Sequence, residues 1–307
     1  KCDINFELSK SFRFGKTIAE TVSKLIIEAK NEDGFSIQGN SQIESNVSFY
    51  KDRDLLSIVQ NFKGIAILSR TNLNLFTKAI QLRKENIPFS FERDVTSQML
   101  RTLDVYWLSL GENKKIRDPF IKSFKTLDHL EHHASEMDDR EFNQMAKVVR
   151  DYAKDLPNII FDLIKIHKDN TQKANPEAVT LSTIHSSKGQ EYNHVIIGSD
   201  LPYFLNEDTE QEEETFLEEV NIAYVALTRA KQQLFLPTEF QTLLNREWKN
   251  YLSKFKSVNK SPKRSSRTSS SARPKKQQLS TDSLATKRNG KSKKISLESR
   301  VRIANGE

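Results

Sequence analysis

The feature that most constrains this chain is a series of short apolar runs separated by segments of helical periodicity. Residues 64–70 (GIAILSR) form a nearly unbroken apolar run, as in a strand covered on both faces; a helical stretch to about Asn86 and a second short strand, IPFSFE, follow. That is a β-α-β unit. Strand signals resume at AVTLSTI, HVIIG and QLFL, and between the last two Phe216, Val220, Ala223 and Leu227 recur at steps of three and four, on one helical face. Strands alternating with helices imply an α/β fold: a doubly wound parallel sheet with helices on both faces. Ile18, Val22, Leu25, Ile26 and Ala29 predict an amphipathic helix over 17–29. From Val95 to about Lys168 the pattern turns helical, with Leu100, Leu103, Trp107 and Leu108 in one segment and a second long segment around Arg140 to Ile166. This predicts a short all-helical insertion in the sheet domain.

The division that follows is 1–94 for the first part of the sheet domain, 95–170 for the insertion, 171–255 for the second part and 256–307 for a tail. The 307 residues, 36% hydrophobic, suffice for a sizeable core. The net charge of +7 hides an asymmetry: from Lys256 onward there are 15 Lys/Arg against 3 Asp/Glu, and before it 33 against 38. The tail is Ser-rich, basic and poor in aromatics, a composition that predicts disorder. No run approaches the ~18 apolar residues of a membrane span, and a single cysteine, Cys2, excludes an internal disulfide. The expectation is an intracellular protein with no membrane partner.

Two segments carry chemistry. Residues 181–192 (LSTIHSSKGQEY) follow one apolar strand and precede another, and combine donors and small residues with one carboxylate, Glu191. Such a loop can hold phosphates while the carboxylate accepts hydrogen bonds from ribose hydroxyls; it can equally be an ordinary polar connection. In VNIAYVALTRAKQQLFL, Arg229 and Lys231 end a helix. Cations there complement the helix dipole, or Arg229 reaches across a cleft to a transferring phosphoryl group, a role worth ~10³–10⁵ in rate.

These strings decide between the alternatives by resemblance. LSTIHSSKGQEYNHVII resembles motif V of the superfamily 1 helicases related to UvrD, Rep and PcrA, and EEVNIAYVALTRAK resembles their motif VI. ELSKSFRFG is similar to motif IV, and GIAILSRTN with NIPFSFE to the region called IVa, so the likeness covers about residues 6–240. SFRFGKTIA, IRDPFIKSF and DDREFNQMAKVVRDYAKDLPNII look most like the F-box DNA helicase subfamily. The resemblance implies a RecA-like C-terminal motor domain (domain 2A) with a 2B-like insertion. It places Arg13 and Arg229 on the γ-phosphate of ATP, and Gly189 and Glu191 on the nucleotide with Glu191 on the ribose. Thr183 and His185 fall on single-stranded DNA, with Arg70, Thr71 and Asn72 on the neighbouring track. It also implies 3′-to-5′ movement, a role in DNA repair or recombination, and DNA junctions as partners. Gln190 and Tyr192 depart from the usual leucine and phenylalanine without removing a charge, and Val220 and Asn221 replace positions that are often arginine.

Such a motor closes two RecA-like domains on ATP and Mg²⁺, and the P-loop lysine and metal-binding carboxylate belong to the other domain. Gly15-Lys16-Thr17 completes the end of a P-loop, but the first glycine position is Lys10 and the intervening residues include Phe-Arg-Phe, so it opens an ordinary helix. This also argues against a P-loop kinase or GTPase. No Asp-Glu pair ends an apolar strand before residue 17. The expectation is half a motor, which needs an N-terminal RecA-like domain in cis or in trans for activity and whose Mg²⁺ ligands lie there. The alternative is a non-catalytic DNA- or protein-binding remnant. His129, His132 and His133 read as a solvated helix face rather than metal ligands, and Tyr106, Trp107 and Phe120 as core rather than base-stacking groups. The acidic loop from Glu207 to Glu214 reads as solvated. The tail segments KRSSRTSSSARPKK and KRNGKSKK suit DNA phosphates or nuclear import, giving a nuclear location in a eukaryote and a cytoplasmic, nucleoid one in a bacterium.

Overall fold

The computed structural model describes residues 10–30, 35–137, 139–173, 175–205 and 213–245. The tail and most of the acidic loop lie outside them. In chain order the elements are α1 (Lys16–Lys30), β1 (Asn46–Tyr50), α2 (Leu55–Asn61), β2 (Ile65–Ser69), α3 (Asn72–Lys84) and β3 (Phe89–Phe91). Five helices follow: α4 (Thr96–Ser109), α5 (Pro119–Lys122), α6 (Leu127–Glu136), α7 (Arg140–Tyr152) and α8 (Leu156–Gln172). Then come β4 (Val179–Thr183), β5 (Tyr192–Ile197), α9 (Leu201–Phe204), α10 (Glu213–Leu227), β6 (Ala230–Pro237) and α11 (Thr238–Leu244).

The six strands form one sheet in the order β1-β6-β5-β2-β4-β3, every pair parallel. Alternate residues of a strand face opposite ways, so Ala66, Leu68, Val195, Ile197, Leu234 and Leu236 point to one side, where they form a core with α1, α10 and α11. Ile65, Ile67 and Ile196 are equally dry and belong to the other side. There α3 packs on β2 and β4. The sheet is therefore wound on both faces, the α/β doubly wound arrangement that the strand-helix alternation predicts and the RecA-like one that the resemblance implies. Between β3 and β4, helices α4 to α8 pack on one another and reach the sheet through α8 against β3. No helix among the described residues is long and apolar enough to cross a membrane.

Two elements differ from the sequence reading. β1 (NVSFY) is a sixth strand with no apolar run, because it is an edge strand that pairs with β6 alone and leaves Asn46 and Phe49 exposed. The long helix expected from Arg140 to Ile166 is two helices. Ala153, at φ +41°, breaks it, and Pro157 in the first turn of α8 has no N–H with which to continue the preceding helix.

β2 and β5 are neighbours whose chains diverge at their C-terminal ends, one towards β3 at the sheet edge and one towards β6 on the other side. This is a topological switch point, where parallel sheets open a crevice. Helix α10, which joins β5 to β6, runs back from that end of the sheet to the opposite end.

Candidate functional site

The segment carrying Arg13 is not free-standing. Ser11 N donates to Gln38 O at 2.8 Å and Asn40 N to Phe14 O at 2.8 Å, so residues 37–40 clamp residues 11–15. The clamp requires glycine: a Cβ on Gly39 would lie 2.4 Å from the backbone of Gly15. From this base the Arg13 Nε donates to Glu191 Oε1 at 2.5 Å, and its Nη1 to Thr228 O at 3.4 Å. Lys231 Nζ sits 3.1 Å from Glu191 Oε2. The two cations hold the Glu191 carboxyl below the usual carboxylate range, with the Arg13 hydrogen bond the larger cause. Arg13 and Glu191 are about one-third exposed, at 32% and 34%.

Arg229 lies beside this pair but faces inward. It is 8% exposed, with Nε on Val225 O at 3.0 Å, Nη1 on Gln190 O at 3.1 Å and Nη2 on Thr228 Oγ1 at 3.3 Å. Burial, then the nearby Arg13, lower its pKa from the usual guanidinium value. Together Arg13, Glu191, Thr228, Arg229 and Tyr224 wall an open cleft of about 460 Å³. The structure thus brings together Arg13, Glu191 and Arg229, three residues spread over more than two hundred positions of sequence. Their place in the fold differs from expectation. The reading of 181–192 as a loop at a strand's C-terminal end holds for Thr183, whereas Glu191 precedes β5 and Arg229 precedes β6, so the cleft opens at the N-terminal ends of these strands.

The connection between β4 and β5 is a short series of turns that crosses the sheet. Ser187 is buried and its Oγ donates to Ile184 O at 2.8 Å. Thr183 Oγ1 donates to Ser186 Oγ at 2.9 Å and accepts from Ser186 N at 3.1 Å. Gly189 takes φ +89° with open space where a side chain would stand, so its glycine serves backbone conformation rather than close packing. His185 is exposed near the switch point; partial desolvation and then the Arg70 and Lys188 cations lower its pKa.

Arg70, Thr71 and Asn72 lie at the switch point, at the opposite end of the sheet from the Arg13 cleft. Asp200, just beyond β5, accepts from Arg70 N at 3.1 Å, Thr71 N at 2.7 Å and Thr71 Oγ1 at 2.9 Å. Thr71 Oγ1 in turn accepts from Asn74 N at 3.2 Å and caps α3. Burial pushes the pKa of Asp200 up despite these three bonds. The Arg70 guanidinium forks onto Glu219 of α10, Nε to Oε2 at 2.9 Å and Nη2 to Oε1 at 2.7 Å, and this bond raises its pKa. Asn72 begins α3 and lines a narrow groove against α4 and α7. The three track residues are therefore together, but the Arg70 head group is engaged by a buried carboxylate and the Thr71 hydroxyl by Asp200.

The remaining candidates are accounted for by packing. Tyr106 and Trp107 are 7% exposed, their rings 4.8 Å apart and tilted at 60°, with Lys115 Nζ 4.4 Å from the Trp107 ring centroid. Phe120, expected in the core, is instead 43% exposed at the surface of the insertion, where its ring lies against Phe124, Phe142 and His133. His132 pairs with Glu136, and among the described residues no three His, Cys, Asp or Glu side chains converge to hold a metal ion. Gly15-Lys16 leads into α1, and Lys16 pairs at the surface with Glu20.

Sequence reasoning missed Phe12, Asp200 and Glu219. Phe12 is 75% exposed beside Arg13, an aromatic face at the cleft mouth. Glu219 had a legible signal: it falls on the apolar stripe of Phe216, Val220 and Ala223, where a carboxylate needs a buried partner.

A family model for the UvrD-like helicase C-terminal domain matches residues 109–241. The chain is 24% identical over 258 residues to F-box DNA helicase 1 of Gallus gallus, covering 78% of this chain and 24% of that protein. It is 28% identical over 246 residues to F-box DNA helicase protein 1 of Schizosaccharomyces pombe, 75% of this chain and 27% of that one. ATP-dependent DNA helicase PcrA of Bacillus subtilis matches at 32% over 99 residues, 32% of this chain and 13% of the relative. The chain thus spans about a quarter of the length of the F-box helicases it matches.

Proposed function

We propose that this chain, whose residues 109–241 match the UvrD-like helicase C-terminal domain, is the arginine-bearing half of an ATP-driven, 3′-to-5′ translocase on single-stranded DNA. The observation that carries this reading is the convergence of Arg13, Glu191 and Arg229 on one open cleft, with Lys231 paired to Glu191. In the reading, ATP enters with its phosphates towards Arg13 and Arg229, its ribose hydroxyls towards Glu191, and its base against the exposed Phe12 ring.

The residues suit these parts. Two cations already neutralise Glu191, so the approach of a polyanion replaces one partner of Arg13 with another instead of stripping a charge bare. Arg229 must exchange three protein acceptors for a phosphoryl oxygen, a change that closure of a second domain over the cleft would drive. Mg²⁺ supplies charge neutralisation on the phosphates, and its ligands are assigned to the P-loop domain that faces this cleft, in cis or in trans. Thr183 and His185, with the loop at residues 70–72, form the DNA track; junctions processed in repair or recombination are the substrates, in the nucleus of a eukaryote or the nucleoid of a bacterium.

The test is ATP hydrolysis by this chain joined to, or mixed with, a P-loop domain of the same family. The rate is expected to rise with single-stranded DNA and to fall by about 10³-fold in Arg229→Ala. Hydrolysis that ignores the substitution, or its absence under all pairings, would instead leave a DNA- or protein-binding remnant.

A further inference from the structure

The charge cluster at the switch point and the cleft at the far end of the sheet are joined by one helix. Glu219, midway along α10, is 5% exposed, and both its oxygens are taken by Arg70. Removing Arg70 would leave a buried carboxylate without the cation that both its oxygens face, among the costlier events in a protein interior. One face of this helix is dry along its length: Phe216, Val220, Ala223, Ala226 and Leu227 are 0% exposed and packed on α1 and the sheet. A helix so packed moves as a body, not residue by residue. Just past the C-terminal end of the helix, about 15 Å from Glu219 at 1.5 Å per residue, stand Thr228, whose carbonyl accepts from Arg13, and Arg229. Arg70 is fixed at its own end as well, since Asp200 accepts from its amide.

We propose that Glu219 is a positioning residue: the Arg70–Glu219 pair fastens the loop leaving β2 to α10, so that a DNA strand on the loop and a nucleotide in the cleft bias one another. The inference rests on the translocase reading and adds to it a named connection. Coupling of this kind is reciprocal in binding: DNA tightens nucleotide by the factor that nucleotide tightens DNA. It also recasts Arg70. With its fork committed to Glu219, Arg70 works by holding the loop rather than by neutralising a phosphate.

The experiment uses the two-domain motor and an oligothymidylate, with ATP hydrolysis measured with and without DNA. Glu219→Gln is expected to reduce the stimulation factor at least about five-fold. R70E and E219R should each lose stimulation, and the charge-swapped double variant R70E/E219R should recover most of it, a rescue that loss of a DNA ligand would not show. Thermal melts identify any single variant that fails to fold, in which case the swapped pair decides. Stimulation unchanged in Glu219→Gln, or lost in R70E and not recovered in the folded double variant, would overturn the proposal. Hydrolysis insensitive to Arg229→Ala would sink the translocase reading instead, a separate result.

Discussion

The two ends of the sheet hold similar residues in opposite conditions. At the N-terminal end, Arg13, Lys231 and Glu191 meet across an open cleft, each about one-third exposed. At the C-terminal end, Arg70 meets a Glu219 that is 5% exposed, with Asp200 holding the adjoining backbone. The first cluster is exchangeable, because solvent or a ligand can take the place of either partner at little cost. The second is fixed, because no solvent stands ready to replace a lost partner. An ion pair on an open surface contributes little to stability and is a fit place for binding; a dry one is suited to geometry.

The largest effect on stability is expected at the fixed end. Asp200→Ala leaves the Arg70 and Thr71 amides and a capping hydroxyl without their acceptor, at a cost of about 3 kcal/mol by urea denaturation. Asp200→Asn, which keeps one acceptor oxygen, should cost less. Equal costs would show that the amides find other partners and that the knot is not rigid. A smaller effect belongs to His167, whose Nδ1 accepts from Phe91 N at 3.0 Å and ties the helical insertion to β3. Burial holds its pKa below the usual imidazole value, with Lys168 adding to the effect and Asp94 opposing it. Since the folded state disfavours the proton, the stability His167 supplies is full above the ordinary imidazole pKa and is lost as pH falls through that value towards the lowered one. The urea midpoint should therefore drop on acidification from neutral pH, and His167→Gln should flatten that drop. An unchanged pH profile in the variant would assign the drop to other groups. The smallest stability effect is expected in the exchangeable cluster: Glu191→Gln should alter unfolding by no more than about 0.5 kcal/mol while weakening nucleotide use. A stability loss of several kcal/mol would make the cleft a structural joint.

How much of this was legible follows the same division. The strands at residues 65–69 and 192–197 and the helix at 16–30 announce themselves because buried parallel strands and an amphipathic helix leave simple patterns of apolar residues. β1 does not, since an edge strand half in solvent has no such pattern. The family motifs named Arg13, Glu191 and Arg229, but pattern alone gave no sign that they meet at the N-terminal ends of the strands; that depends on the β4–β5 connection crossing the sheet as a short turn. The commitment of Arg70 was hidden in its partner. Glu219 breaks an apolar stripe, a visible irregularity, but only the strand order brings it to β2.

Where a nucleotide lands decides whether the Arg13 cleft is the ATP site. Photo-crosslinking of an azido-adenine nucleotide to the two-domain motor, with adducts located by mass spectrometry, tests this directly. An adduct is expected within residues 10–16, around Phe12, and should be lost in Arg13→Ala. Adducts confined to other segments, or labelling of residues 10–16 that persists without Arg13, would contradict it.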